Sequence, residues 1–151
     1  MTNFTWHCKS FEELQSSELY KILAVRAEVF ILEQECLYQD MDFDDQKALH
    51  LWAESNNEIA AYSRVFAPGI KYPQASIGRV LTAKKFRGIG LGKQLITHSL
   101  EVIQSEFETQ YICISAQDYL LQFYADFGFE PTDISYLEDG IPHTEMKKGK
   151  A

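Results

Sequence analysis

The feature that most constrains this chain is a basic loop with alternating glycines, Arg87-Gly88-Ile89-Gly90-Leu91-Gly92-Lys93, between a strand-like run and an amphipathic run. Ahead of it, Ser76-Ile77-Gly78-Arg79-Val80-Leu81-Thr82 reads as a strand. Behind it, Leu95, Ile96, Leu100, Ile103 and Phe107 fall on or near one face of a helix. Three glycines at alternate positions let backbone N–H groups turn toward one point without Cβ obstruction. The start of the following helix adds unpaired N–H groups and the positive end of its dipole. Lys84, Lys85, Arg87 and Lys93 add four positive charges, the concentration a phosphate-bearing ligand requires.

That concentration stands out because the rest of the chain is acidic. Lys and Arg number 14 against 22 Asp and Glu, a formal net charge of −8. An acidic body binds nucleic acid or an anionic membrane poorly, so neither is expected as a partner. A small or cationic partner is easier to accommodate. The length, 151 residues, fits one domain spanning 1–151. Hydrophobic residues at 46% and charged residues at 24% exclude a disordered tail, a collagen-like repeat and a disulfide scaffold. Cys8, Cys36 and Cys113 are widely spaced, with no CxxC or Cys/His cluster, so neither zinc nor another metal is expected. Three scattered thiols, no leader-like start and no run of ~20 apolar residues predict a cytoplasmic protein.

Along the chain, Thr2 to Lys9 reads as a strand and Ser17 to Gln34 as a helix. An acidic, irregular stretch covers Leu37 to Leu49. Two strands follow, His50 to Glu54 and Ile59 to Phe66, joined at Ser55-Asn56-Asn57. After the glycine loop and its helix come a strand at Tyr111 to Ser115, a helix at Gln117 to Phe127 capped by Gly128, and strands at Phe129 to Tyr136 and His143 to Lys148. Mixed strands and helices imply an α/β or α+β fold with the sheet between helices.

Pattern separates the possible phosphate ligands. A P-loop needs glycine where Arg87 stands and Ser or Thr where Gln94 stands. A dinucleotide fingerprint starting at Gly88 needs glycine or alanine where Lys93 stands. Arg87, Gly90 and Gly92 instead match Arg-x-x-Gly-x-Gly opening a helix after a strand. In this the chain resembles the GNAT acyltransferase superfamily, whose acetyl-CoA pyrophosphate signature this is. Gln117 to Phe129 is similar to that family's Asn…Tyr-x-x-x-Gly-Phe segment, with Gln117 in place of the usual Asn. Val25 to Gln34, Gln39-Asp40-Met41-Asp42, Lys71-Tyr72-Pro73 and Asp139-Gly140-Ile141-Pro142-His143 resemble the ElaA-like branch.

The resemblance implies a mixed, mostly antiparallel central sheet flanked by helices on both faces. It implies acetyl-CoA as donor cosubstrate, a small-molecule amine as acceptor, and direct transfer in a ternary complex. Backbone groups at Val80, Leu81 and Thr82 would pair with the pantetheine arm, with Leu81 N–H polarising the thioester carbonyl. Arg87, Gly88, Ile89, Gly90, Leu91, Gly92 and Lys93 would take the pyrophosphate, with Gln117 beside the coenzyme. Tyr124 matches the tyrosine that protonates the departing thiolate. The residues alone also allow Tyr124 to be an aromatic that fills the core.

The general base is left open among Glu33, Glu54 and His143. Glu33 ends the first long helix, where the dipole disfavours a carboxylate. Glu33, Glu35, Asp40, Asp42, Asp44 and Asp45 fail the EF-hand pattern. They form either a solvated loop or an acceptor pocket that attracts a cationic amine. Cys113 lies mid-strand between isoleucines and reads as core. The oligomeric state stays open, a dimer included. A non-catalytic acyl-CoA-binding module and a protein or peptide N-acetyltransferase remain as alternatives.

Overall fold

The computed structural model describes residues 3–149, so Thr2 of the first expected strand lies outside the described residues. β1 (Thr5–Ser10), β2 (Leu49–Ser55), β3 (Glu58–Phe66) and β4 (Ser76–Thr82) pair antiparallel in that order. β2 and β3 are joined through Asn56 and Asn57, both at positive φ (49° and 65°). Asn tolerates that region, and such a turn matches the twist of a hairpin. β5 (Ile112–Gln117), β7 (Ile141–Lys148) and β6 (Glu130–Glu138) form a second antiparallel set with β7 central. Asp139 and Gly140, at φ 51° and 81°, turn β6 into β7.

The two sets meet at one point. Ala75 and Ile112 form a parallel bridge, and Cys113 N–H donates to Ala75 C=O at 2.9 Å. β4 and β5 share no further ladder pair among the described residues, so they open into a V toward Thr82 and Gln117. A bulge in β4 adds to the divergence. Tyr62 opposes Leu81 but Arg64 opposes Gly78, which leaves one extra residue on β4, and Arg79 sits there at φ 48°.

Helices cover both faces of the first set. α1 (Ser16–Arg26) begins where the Glu18 carboxylate accepts Gln15 N–H at 2.8 Å. It packs Ile22 and Val25 against Trp52, Tyr62 and Leu81. On the other face, α2 (Leu91–Phe107) sets Leu91 and Leu95 on Leu51, Ala53 and Ala61, where small strand residues admit the helix closely. Farther along α2, Ile96 and Ile103 join Ile112, Ile114, Phe129 and Met146 in the core under the second set. No helix among the described residues is long and apolar enough to cross a membrane.

Two expected helices differ from the sequence reading. The run Ser17 to Gln34 is α-helical only to Arg26, then continues as a π-helical segment, Ala27–Glu33. The wider turn keeps Val29 and Phe30 buried. The helix expected at Gln117 to Phe127 is shorter. Gln117 ends β5, a 3-10 turn covers Asp118–Leu120, and α3 spans only Leu121–Ala125. Gly128 closes it at φ 93°, with its N–H on Ala125 C=O at 2.9 Å.

Candidate active site

The V between β4 and β5 holds a cleft of about 920 Å³. Val80, Leu81 and Thr82 form one wall, Gln117 and Tyr124 the other, with Arg87 and Gly92 at the loop end and Glu33 and His143 also in the lining. One cleft thus gathers residues spread from 33 to 143. Glu54 is not in its wall; it accepts from Lys21 at 3.0 Å and lies 3.1 Å from His7.

The loop between Arg87 and Gly92 has the geometry of an anion cradle. Gly88 and Gly90 sit at φ 85° and 79°, and a Cβ at either would meet nothing within 4 Å. Their lack of a side chain therefore serves backbone conformation and open approach, not internal packing. Gly90 caps α2, and the first amide to find a carbonyl is Gln94, on Gly90 C=O at 3.3 Å. The N–H groups of Gly88, Ile89, Gly90, Leu91, Gly92 and Lys93 have no acceptor among the described residues. At Gly92 a Cβ would touch Thr82 Oγ1 at 3.6 Å and the Phe123 ring at 3.8 Å, so the helix start packs closely on both walls.

The four basic side chains are less available than their count suggests. Arg87 Nε donates to Thr82 C=O at 2.9 Å and its Nη2 to Glu33 Oε2 at 2.8 Å. Lys85 pairs with Glu58 at 2.7 Å. Lys84 and Lys93 have no carboxylate in ion-pair range among the described residues. The donors the loop leaves uncommitted are therefore backbone amides plus two lysines. Arg87 ties the loop to the end of β4 and to the π-helical segment. The same pair gives Glu33 a cationic partner at the helix end.

Tyr124 is 6% exposed and set edge-on between Phe123 and Phe129, with centroids 5.2 and 5.9 Å away. Its hydroxyl makes no hydrogen bond among the described residues. Burial pushes its pKa up, so it is a protonated donor at neutral pH. Its ring fills core while the residue also lines the cleft. His143 faces Gln117 and Tyr136 across the ladder and stacks on Tyr136 at 13°. Its Nδ1 lies 2.7 Å from Ile141 C=O, which can only accept, so Nδ1 carries a proton. Nε2 lies 3.4 Å from Glu138 Oε2. Tyr136 hydroxyl meets Ser115 Oγ beside them.

The acidic stretch is neither a solvated loop nor an unopposed attractor for a cation. Arg26, Arg64 and Arg79 bind Asp40, Asp42 and Asp45 in one network. Arg26, fully buried, donates to Asp40 at 2.9 Å and to Asp45 at 2.7 Å. Arg64, 2% exposed, donates from Nη1 to Asp42 and Asp45, both at 2.8 Å, and from Nη2 to Asp42. Arg79, on the β4 bulge, donates to Asp40 at 2.8 Å. Burial opposes ionisation of Asp42, but the Arg64 hydrogen bonds outweigh it and hold the carboxyl well below its usual range. His50 bridges Tyr62 hydroxyl at 2.7 Å and Asp45 C=O at 2.9 Å, and burial lowers its pKa. Sequence reasoning missed these arginines. The usable signal was an arginine inside each of two apolar runs, Ile22 to Phe30 and Ile59 to Phe66, because buried arginine is rare unless paired. Cys113 is buried, and burial together with Glu145 pushes its thiol up to about 12, so it is no nucleophile.

Comparison with known proteins agrees with this geometry. The family described as "Acetyltransferase (GNAT) domain" matches residues 13–150. A UPF0039 protein of Synechocystis sp. is 37% identical over 142 residues, 93% of this chain and 92% of that one. The protein ElaA of Escherichia coli K12 is 37% identical over 145 residues, 95% of each chain. The crystal structure of an acyl-CoA N-acyltransferase from Pseudomonas aeruginosa superposes with a TM-score of 0.93 at 36% identity, covering 97% of this chain and all (100%) of that one.

Proposed function

The chain belongs to the GNAT acyltransferase superfamily, in its ElaA-like branch, and on that premise we propose that it transfers an acyl group, acetyl foremost, from acyl-CoA to a small primary amine. The observation that carries the reading is the β4–β5 V beside a loop of six amides, Gly88 through Lys93, that have no acceptor among the described residues. A pantetheine arm fits the unpaired edge of β4 as an added strand, and a pyrophosphate fits the amide cradle. Acyl-CoA brings the activated acyl group as a thioester.

This chain's residues then have separable roles. Val80, Leu81 and Thr82 line the arm's path; Leu81 N–H faces Tyr62 in the β3 ladder, so a neighbouring amide of this edge, and not that of Leu81, meets the charge developing on the carbonyl oxygen. Tyr124 presents a protonated hydroxyl for the departing sulfur. His143, with Nδ1 fixed on Ile141 C=O, offers Nε2 to take the amine's proton, directly or through water. Glu33 holds Arg87, and through it the loop, which leaves His143 as the proposed base. Gln117, in the cleft lining and hydrogen-bonded to Gln34 at 3.5 Å, would lie beside the coenzyme. Transfer is direct, in a ternary complex: Cys113 is buried, and Cys36 in the cleft lining donates its Sγ–H to Asp139 C=O at 3.1 Å.

Thiol release from acetyl-CoA across a panel of primary amines tests the reading. Saturable release that Tyr124→Phe lowers supports it. Coenzyme binding without release for any amine would favour a binding module instead.

A further inference from the structure

The aspartates of the buried network are occupied while some donors of the arginines that line the cleft are not. Asp42 is the network aspartate in the cleft wall. Its Oδ1 accepts from Arg64 Nη1 at 2.8 Å and from Asp44 N–H at 3.1 Å. Its Oδ2 accepts from Arg64 Nη2 and lies 3.5 Å from Arg79 Nη2. Little acceptor capacity remains for an incoming ammonium group. The donors are in surplus. Arg79 uses Nε and Nη2 on Asp40, and its Nη1 has no acceptor among the described residues. Arg64 Nε is a buried N–H without a partner among the described residues. Both arginines line the cleft, and Arg79 is 22% exposed there, on the bulge just before Val80 and Leu81. A guanidinium with an unused N–H in a cleft wall is suited to a carboxylate or another oxyanion.

We propose that the acceptor is an amino acid-like compound, a primary amine with a carboxylate a few bonds away, and that Arg79 Nη1 receives that carboxylate. The inference rests on the acyltransferase reading and specifies its acceptor. The charge logic is the reverse of a cation trap. The three aspartates neutralise the three arginines, so the wall stays rigid and near neutral while donors remain for one more anion. The bulge holds the Arg79 backbone at φ 48°, which fixes where its side chain leaves the strand. Arg79 would then set which amines are accepted, while His143 and Tyr124 act on any amine that binds.

The test compares matched pairs on the wild-type protein: each common amino acid against its decarboxylated amine, by thiol release from acetyl-CoA. At least one amino acid should exceed its decarboxylated partner tenfold or more in kcat/KM. Arg79→Gln should raise the KM for that amino acid about tenfold, bring the ratio near one, and leave the KM for acetyl-CoA within twofold. Arg79→Lys should restore part of the ratio. Because Arg79 also holds Asp40, a second arm avoids the variant. N-acetyl amino acids should raise the melting temperature of the wild-type CoA complex, and their N-acetyl amides should not. Decarboxylated amines matching or exceeding every amino acid, or amides stabilising as well as acids, would overturn the proposal. Absence of any CoA effect on melting would overturn the acyltransferase reading itself.

Discussion

Replacing Asp45 by asparagine keeps the side chain's size but removes a charge that two buried guanidinium groups share. Arg26 Nη1 and Arg64 Nη1 reach the same oxygen, Asp45 Oδ1, at 2.7 and 2.8 Å. Arg26 is 0% exposed and Arg64 2%, so neither can turn to water once the carboxylate is gone. Removing one partner of a buried ion pair costs ~3–5 kcal/mol, because the remaining charge is left uncompensated. Asparagine retains a carbonyl acceptor, and Asp40 and Asp42 still balance part of the charge, so the lower end, about 3 kcal/mol, applies. For a domain of this size each kcal/mol moves the melting temperature by roughly 2–4 °C, giving a fall of roughly 6–12 °C. Urea unfolding at neutral pH should show the same loss as a lower midpoint with an unchanged slope. The control is Glu58→Gln, which breaks the exposed Lys85–Glu58 pair and should leave the midpoint nearly where it is. An Asp45→Asn midpoint no lower than that of Glu58→Gln would refute the view that the network is a buried, mutually dependent unit.

Tyr124→Phe should lower kcat by ~10²-fold, the low end of general acid catalysis, with the KM for acetyl-CoA little changed; a full kcat would remove Tyr124 from the chemistry. Stability should also depend on acid. His50 has its pKa lowered by burial, so below about 6.5 the unfolded chain binds a proton that the folded chain refuses, and stability falls. Asp42 and Asp45 are depressed in the folded state, so their contribution is full above about 3.9 and is lost as pH drops below it. Urea midpoints across pH 7 to 3 should decline in these two stages, and a flat profile from 7 to 5 would contradict the neutral, buried His50.

The parts legible in the sequence were those written locally. The strand Ser76–Thr82, the glycine that caps α2 and the Asn56-Asn57 hairpin turn each depend on a few adjacent residues whose backbone demands are visible in the letters. The π-helical segment was not legible, because apolar residues three and four apart serve an α-helix or a π-segment equally. The short α3 was overextended because Gln117 reads as well at a helix start as at a strand end. The charge assignments failed for another reason. Glu33 lies 54 positions from Arg87, Asp42 lies 22 from Arg64 and Asp40 lies 39 from Arg79, so a stretch without neighbouring cations was neutralised by distant strands. The loop charge was reduced in the same way.

The central claim is that the loop after β4 is the anion-binding end of an acyl-CoA site. Calorimetric titration of the wild-type protein and of Gly90→Asp with acetyl-CoA tests it most directly. A Cβ at Gly90 meets nothing within 4 Å, so the variant's internal cost is confined to holding aspartate at φ 79°, roughly 1–2 kcal/mol, and a melting curve can check that it folds. The account predicts saturable one-site binding by the wild type and none by a folded Gly90→Asp. Equal binding by both proteins, or no binding by the wild type, would contradict it.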